Sequence, residues 1–404
     1  MNLIVVGCGV AGVTAAMTVR ENNSEAKISV YSDENYLYYP RPKLYQVLSG
    51  EVQPQEIYAF PDEWYKKKSI EVNLNKKASG IDAARKELIL EDGSRASYDK
   101  LLLANGAHPF VPPVKGVEKK GVFSLRSLMD ALTIREYAKK TKKAVVIGGG
   151  LLGLEFASSL RRLGQQVDVI EIFPRLLPMQ LDQDGASVLQ GRIEDLGINF
   201  ELGVKLQEIL GREAVSGVSL DIGKELSGDL ILFSAGVRSN IDLAVNAGIK
   251  VNKGVVVDQY LQTSVNDVYA AGDVAEFETR VYGIIPASEE QAKITALNML
   301  DQEKQVYKGT IPSNTLKIVG IDLTSIGIVN PEGPKYEEIK KTDEERGIYK
   351  KIVLDQGKIV GSIVLGEIKS AAALKILIEK GIDVTKYKDS ILEENFDFRK
   401  ILAK

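Results

Sequence analysis

Short apolar runs and helix-spaced patterns alternate from the start of this chain. Leu3–Val6 reads as a strand, Ala11–Glu21 as a helix with apolar residues at helical spacing, and Ile28–Tyr31 as a second strand. The succession returns at Ala144–Ile147, Leu152–Leu163 and Val167–Glu171. In between, a hairpin turning at Asp92-Gly93 leads to a buried strand at Lys100–Ala104, and Leu125–Lys140 has the spacing of an amphipathic helix. Further strands are predicted at Ile231–Gly236, Val255–Asp258 and Val268–Asp273, and a helix at Ser288–Leu300. From about Ile311 the texture becomes β-rich. Thr315–Val319, Gly347–Leu354 and Lys358–Leu365, the last two joined by a turn at Asp355-Gln356-Gly357, precede a helix over Ile368–Lys380. Pro40 and Pro42 forbid regular helix in the aromatic loop Tyr36–Leu44, and Pro109, Pro112 and Pro113 mark a linker.

The same loop joins strand to helix in both successions. Gly7-Cys8-Gly9-Val10-Ala11-Gly12 and Gly148-Gly149-Gly150-Leu151-Leu152-Gly153 are each G-x-G-x-x-G, directly after a strand and before a helix. The first glycine makes the tight turn, the second lets backbone approach a pyrophosphate, and the third lets helix pack on strand. The helix N-terminus supplies unpaired N–H groups and a partial positive charge for the phosphates. Each second strand ends at an acid that would accept ribose hydroxyls, Asp33 in the first unit and Glu171 in the second. A carboxylate at Glu171 would repel a 2′-phosphate, so NADH is expected over NADPH. Two loops, each in its full strand–loop–helix–strand–acid setting, predict two dinucleotides and passage of electrons between them.

The expected architecture is α/β, with two Rossmann-like dinucleotide-binding domains, the second inserted in the first, plus a small C-terminal α+β domain. Residues 1–110 and 238–310 form the first domain, 111–237 the second, and 311–404 the third.

Composition narrows the chemistry. The chain has 404 residues and a net charge of −3, which argues against nucleic acid as a partner. No apolar stretch reaches the roughly 18–20 residues of a membrane span, and no basic segment precedes Leu3, so no signal peptide and a cytoplasmic setting are expected. There is one cysteine, Cys8, and one histidine, His108, so no intramolecular disulfide is available and no Cys/His metal site is expected. Cys8 in the pyrophosphate turn reads as a small apolar filler. His108 reads as structural, and Trp64 with Tyr58, Phe60 and Tyr65 as a packing cluster. Tyr36, Tyr38 and Tyr39 are compatible with packing or with lining a cofactor cavity. The runs Lys66-Lys67-Lys68, Lys76-Lys77, Lys139-Lys140 and Lys142-Lys143 are solvated faces or a basic docking face.

Several stretches together carry a family resemblance. They are the first loop, Arg41-Pro42-Lys43-Leu44, LLLANGAHP, FSLRSLMDA, VVIGGGLLGLEFA, LDQDG, ILFSAGVRSN, VYAAGDVAEF and YKKIVLDQGKIVGSIVLGE. The chain resembles the FAD-dependent pyridine nucleotide-disulfide oxidoreductase superfamily, and within it the NADH:rubredoxin oxidoreductases, over nearly its whole length. The resemblance implies that Gly7, Gly9, Val10, Ala11 and Gly12 hold the FAD pyrophosphate. Asp33, or Glu34 one residue on, would bind the adenosine ribose. Arg41 and Lys43 would lie along the pyrophosphate and isoalloxazine, and Ala78 would meet the adenine through its backbone. Ala104, Gly106 and Arg126 would contact FAD, with Gly272 and Asp273 on the ribityl chain. Gly148, Gly150, Leu152, Gly153, Glu171 and Gly236 would hold NADH, and Glu155 would stand near the nicotinamide.

Departures from the pattern shape the expected mechanism. Asn105 stands where the family usually has Thr, and Gln46 where some relatives have a lysine. Lys43 is the nearest available cation, so it is expected near the flavin, pairing with Glu155. Leu151 replaces a gating aromatic. The loop after the second strand holds Tyr45, Gln46 and Ser49 and no cysteine. Without a thiol relay, electrons would leave the flavin directly to a small one-electron carrier, a rubredoxin-like protein. Alternatives are an NADH oxidase forming hydrogen peroxide, a component feeding a partner reductase, and a non-catalytic redox sensor. The short C-terminal domain favours a monomer over a homodimer.

Overall fold

The computed structural model describes residues 1–300, 303–367 and 369–402, with backbone alone at 316–318. The chain forms two compact units. One comprises Met1–Phe110, Arg126–Leu132 and Val237–Thr310; the other comprises Val111–Leu125, Thr133–Gly236 and Ile311–Lys404. The second nucleotide half and the C-terminal segment thus fall in the same unit.

The first unit is built on a five-stranded parallel sheet. Its order is Val268–Ala270, Lys100–Leu103, Asn2–Val6, Lys27–Tyr31 and Ile70–Asn73. Leu3, Ile4 and Val5 are buried, as the unbroken apolar run requires of a strand covered on both faces. The helices Val10–Asn22 and Ile285–Met299 share one core, where Ala15, Ala16, Ala292 and Ala296 allow close approach. Pro286 falls in the first turn of the second of these helices, where no N–H is needed, so the helix begins earlier than the apolar spacing indicates. An antiparallel meander, Ala78–Asp82, Glu87–Leu90 and Arg95–Ser97, surrounds the Asp92-Gly93 turn.

The second unit repeats the plan. Its parallel sheet runs Ile198–Leu202, Gln166–Glu171, Lys143–Ile147, Leu230–Phe233 and Val122–Ser124. It also has a meander, Leu206–Gly211, Val215–Leu220 and Glu225–Ser227, which the sequence pattern did not reveal because its strands are short and half exposed. In each parallel sheet the glycine loop follows the middle strand. A strand there is flanked by a neighbour on either side, which opens a crevice at its carboxyl end.

The C-terminal part is an antiparallel five-stranded sheet in the order Ser313–Ile318, Ile321–Gly327, Lys358–Leu365, Ile348–Asp355 and Tyr336–Asp343. Ile321–Gly327 and Tyr336–Asp343 were not expected; the latter is mostly charged and lies at the sheet edge. The helix Ala371–Lys380 covers the sheet, and Ile368, where the sequence pattern starts it, lies outside the described residues. Two other helices differ from the pattern. The expected helix from Leu125 starts at Leu128, because Ser127 and Asp130 form a reciprocal cap: Asp130 accepts the Ser127 N–H at 2.8 Å and Ser127 Oγ accepts the Asp130 N–H at 3.1 Å. A single 3-10 turn, Arg41–Lys43, admits Pro42 near its start within the aromatic loop. Among the described residues no helix is long and apolar enough to cross a membrane.

Candidate functional site

The two glycine loops have the same construction. Gly7 has φ +113° and Gly148 φ +117°, and a Cβ at either would lie 2.2 Å from the Ala104 carbonyl oxygen or 2.3 Å from that of Ser234. Only glycine passes so close to the neighbouring strand's exit. A Cβ at Gly12 or Gly153 would stand 2.0 Å from the first glycine's carbonyl oxygen, which fixes helix against turn. At Gly9 and Gly150 a Cβ would meet nothing within 4 Å. The middle glycines therefore face open space, as close approach of a pyrophosphate requires. Both are N-caps with no side-chain cap, and no acid follows in the first turn, so Val10, Ala11, Leu151 and Leu152 begin helices whose leading N–H groups remain for an anion.

The acids behave differently in the two units. Glu171 is buried, and its carboxylate accepts the Gly149 N–H at 2.7 Å and the Phe173 N–H at 3.0 Å. It braces the loop, and each oxygen keeps a further lone pair. Val6 pairs with Tyr31 as Ile147 pairs with Ile170, so Ser32 occupies the position that Glu171 has in the second unit. Asp33 is exposed one residue further. Glu34 is turned inward, where Oε1 lies 2.8 Å from the Arg41 guanidinium and Oε2 accepts the Tyr39 hydroxyl. Ser32 gave no sequence signal as a candidate, because the spacing drew attention to the acid beside it.

The remaining first-unit candidates converge. Arg41 donates to the Arg126 carbonyl oxygen, Arg126 pairs with Asp273 at 2.8 Å, and the Tyr39 hydroxyl accepts the Leu128 N–H at 2.9 Å. Gly272, φ +83°, is held by Gln291 Oε1 at 2.8 Å, and a Cβ on it would press on Ala11 at 3.0 Å. The structure thus brings Gly272 and Asp273 beside the first glycine loop. Gly106 accepts the Asn240 N–H at 2.9 Å, and Ala78 sits in the meander opposite Leu90. Lys43 is exposed. Two buried polar atoms here lack a hydrogen-bond partner, Arg126 Nε and Asn105 Oδ1. Buried polar groups are normally satisfied, so this donor and acceptor await a polar ligand. Together with the open Gly9 face, they fit a bound dinucleotide.

In the second unit Glu155 follows Gly153 on the helix Leu151–Arg162 and is buried. Burial pushes its carboxyl up to about 7, and the N–H of Val319, bonded to Oε1 at 3.1 Å, works the other way. Gly236, φ +94°, faces open space. Cys8 is half-buried in the first loop, and desolvation pushes its thiol up to about 12, against a thiolate.

Other readings resolve plainly. Phe60 stacks on Trp64 at 4.1 Å and both meet Tyr65 edge-on, a packing cluster. His108 Nδ1 lies 2.8 Å from Asn240 Oδ1. Some lysines of the basic runs are paired: Lys66 with Asp62, Lys76 with Asp92, Lys77 with Glu91 and Lys139 with Glu136. Among the described residues no cluster of His, Cys, Asp and Glu is arranged to hold a metal.

Comparison with known proteins accords with this geometry. Residues 1–292 match the pyridine nucleotide-disulphide oxidoreductase family, and residues 312–382 match the rubredoxin NAD+ reductase C-terminal domain. The chain is 36% identical to a nitrite reductase [NAD(P)H] of Bacillus subtilis over 97% of its own length and 49% of that protein. It is 30% identical to the NADH-rubredoxin oxidoreductase of Clostridium acetobutylicum over 96% of both chains. A ferredoxin reductase structure from Rhodopseudomonas palustris superposes with TM-score 0.88 over 99% of each chain at 26% identity. The chain spans about half the length of the nitrite and nitrate reductase relatives it matches. With both glycine loops, the loop at Gly272-Asp273 and the C-terminal domain accounted for, this chain belongs to the pyridine nucleotide-disulphide oxidoreductase family, which uses FAD and NAD(H).

Proposed function

We propose that this chain is an FAD-containing NADH oxidoreductase that delivers electrons to a small one-electron carrier, with a rubredoxin-like protein the first candidate. The observation that carries the reading is the state of Cys8. It is the chain's one cysteine, it is half-buried in the pyrophosphate turn of the first loop, and desolvation raises its thiol away from the thiolate. No thiol relay operates within this chain, so electrons leave the flavin directly. The 30% identity to an NADH-rubredoxin oxidoreductase over 96% of both chains supports the same acceptor class.

When bound, FAD accepts a hydride from NADH and passes on single electrons. The chain's residues bind and orient. Gly7, Gly9, Val10, Ala11 and Gly12 cradle the FAD pyrophosphate at a helix N-terminus. Arg41, Arg126, Gly272 and Asp273 hold its central portion, Asp33 or Glu34 its adenosine ribose, Ala78 its adenine, and Ala104 and Gly106 lie against FAD. Gly148, Gly150, Leu152, Gly153 and Gly236 take NADH, Glu171 its ribose, and Glu155 stands at the nicotinamide with Lys43 the nearest cation to the flavin. In this reading the enzyme works as a single chain in the cytoplasm.

One observation favours a second reading, in which the chain feeds a larger reductase. It is 36% identical, over 51% of that protein, to an assimilatory nitrate reductase electron transfer subunit of Bacillus subtilis.

The test follows flavin absorbance near about 450 nm while the anaerobic protein is titrated with NADH, then with oxidised rubredoxin. Bleaching by NADH and recovery on rubredoxin at a catalytic rate are expected. Recovery only in air would replace the carrier reading with an oxidase. Persistent bleaching with both would favour a sensor.

A further inference from the structure

The acid assigned to the nicotinamide is held by a segment far along the chain. Glu155 is 8% exposed, and its Oε1 accepts the backbone N–H of Val319 at 3.1 Å, across 164 residues of sequence. Val319 and Gly320 form the two-residue turn between Ser313–Ile318 and Ile321–Gly327, with Ile318 paired to Ile321. Their φ values are +52° and +84°, the signature of a tight hairpin of the primed type. Asn or Gly normally occupies the first position of such a turn, and a β-branched residue there is an outlier. The N–H at that position has no strand partner and ordinarily faces water. Here it faces a buried carboxylate instead.

Two consequences follow from that contact. A carboxylate with one oxygen fixed by an N–H keeps its other oxygen for a ligand, in one orientation. An N–H donor also favours the charged form of a group that burial drives toward neutrality. The turn belongs to the β-sheet that matches the rubredoxin NAD+ reductase C-terminal domain, whereas Glu155 belongs to the nucleotide half.

We propose that the Val319-Gly320 turn is the positioning element for Glu155, so that the C-terminal domain takes part in hydride transfer from NADH. The role rests on the reading of Glu155 as the acid beside the nicotinamide. Val319 acts through its backbone N–H.

Hydrogen exchange of the full chain, read by peptide mass, tests the contact without any cofactor. Glu155→Ala is expected to speed exchange of the peptide containing Val319 about tenfold, and Glu155→Gln, which keeps an acceptor oxygen, to leave most of the protection. Val319→Asn, which suits left-handed backbone and retains the N–H, is expected to exchange as slowly as the parent. Equal exchange in the parent and in Glu155→Ala overturns the proposal. Anaerobic flavin reduction tests the role. A glycine inserted between Val319 and Gly320 is expected to slow reduction about tenfold with little change in NADH affinity, and to cause no further loss when Glu155 is already Gln. Equal losses in both backgrounds overturn the positioning role. If Glu155→Gln alone reduced flavin at the parental rate, the assignment of Glu155 to the nicotinamide would fail, whatever the exchange result.

Discussion

The ammonium of Lys351, a residue only 1% exposed, lies 3.1 Å from the carboxylate of Asp182. The same carboxylate caps the helix Gln183–Glu194 through the Gly185 N–H at 3.1 Å, accepts the Tyr349 hydroxyl at 2.7 Å and meets Lys340 at 3.0 Å. Lys351 also reaches Glu338 at 3.1 Å. A fully buried lysine is tolerable only with such compensation. One aspartate thereby ties a helix of the nucleotide half to two strands of the C-terminal sheet.

Removing Asp182 should therefore cost more than a surface ion pair does. Asp182→Ala leaves Lys351 buried with reduced compensation and is expected to destabilise the chain by about 3 kcal/mol. Equilibrium unfolding in urea measures it, and a loss below about 1 kcal/mol would show that the network is slack. Burial raises the Asp182 pKa, but the bonds from Tyr349, Gly185, Lys340 and Lys351 outweigh it and bring it from 3.8 down to about 2. The sign follows: this stabilisation is present above about pH 4 and is lost as pH falls through about 2. Asp182→Asn should lack that step in acid unfolding.

Glu155 should show the opposite dependence. Burial raises its pKa from 4.5 to about 7, so the native state holds a proton that the unfolded chain has released. Its contribution to stability is present below about pH 4.5 and is lost as pH rises through about 7. Glu155→Gln should flatten the stability curve between those values and be more stable than the parent at pH 8, by on the order of 2 kcal/mol. Thermal unfolding at a series of pH values reads this directly.

The glycines of the second loop should separate folding from binding. Gly148→Ala forces a Cβ to 2.3 Å from the Ser234 carbonyl oxygen and should lower stability by several kcal/mol, on the order of 3. At Gly150 the backbone is extended at φ −78° and the space is open. Gly150→Val should change stability by less than about 1 kcal/mol yet weaken NADH binding about tenfold or more. Calorimetric titration with NADH beside thermal melts distinguishes the two, and equal affinity for Gly150→Val and parent would remove that face from the binding site.

Glu171 braces its loop, and in the proposed reading it also selects the nucleotide. Glu171→Ala strands the N–H groups of Gly149 and Phe173, at a cost of about 1–3 kcal/mol. It also removes the charge opposing a 2′-phosphate, so the preference for NADH over NADPH should narrow. The ratio of kcat/KM for the two nucleotides checks this.

Lys43 is exposed, and the proposed reading places it near the flavin. If it serves there, Lys43→Ala should alter the flavin potential and slow anaerobic reduction by NADH. Unchanged potential and rate would leave Lys43 a solvated turn residue.

Much of this was legible in the linear chain because it is local. The two loops are written in glycines whose need arises from their own φ and from atoms one strand away. The parallel strands are unbroken apolar runs because both of their faces are covered. The Asp355-Gln356-Gly357 turn and the Asp92-Gly93 turn are set by neighbouring residues. The different surroundings of Ser32, Asp33 and Glu34 were not local. They depend on the register that pairs Val6 with Tyr31 and on Arg41 drawing Glu34 inward. The partner of Glu155 lies 164 residues on, and Tyr349 and Lys351, two of the partners of Asp182, lie 167 and 169 residues on. Such pairs leave no spacing to read, since packing alone brings them within hydrogen-bonding distance. Sequence by itself determined where the two glycine loops and their strands stand; the tertiary structure decided which charges are buried together, because burial is a property of the assembled chain and not of any segment.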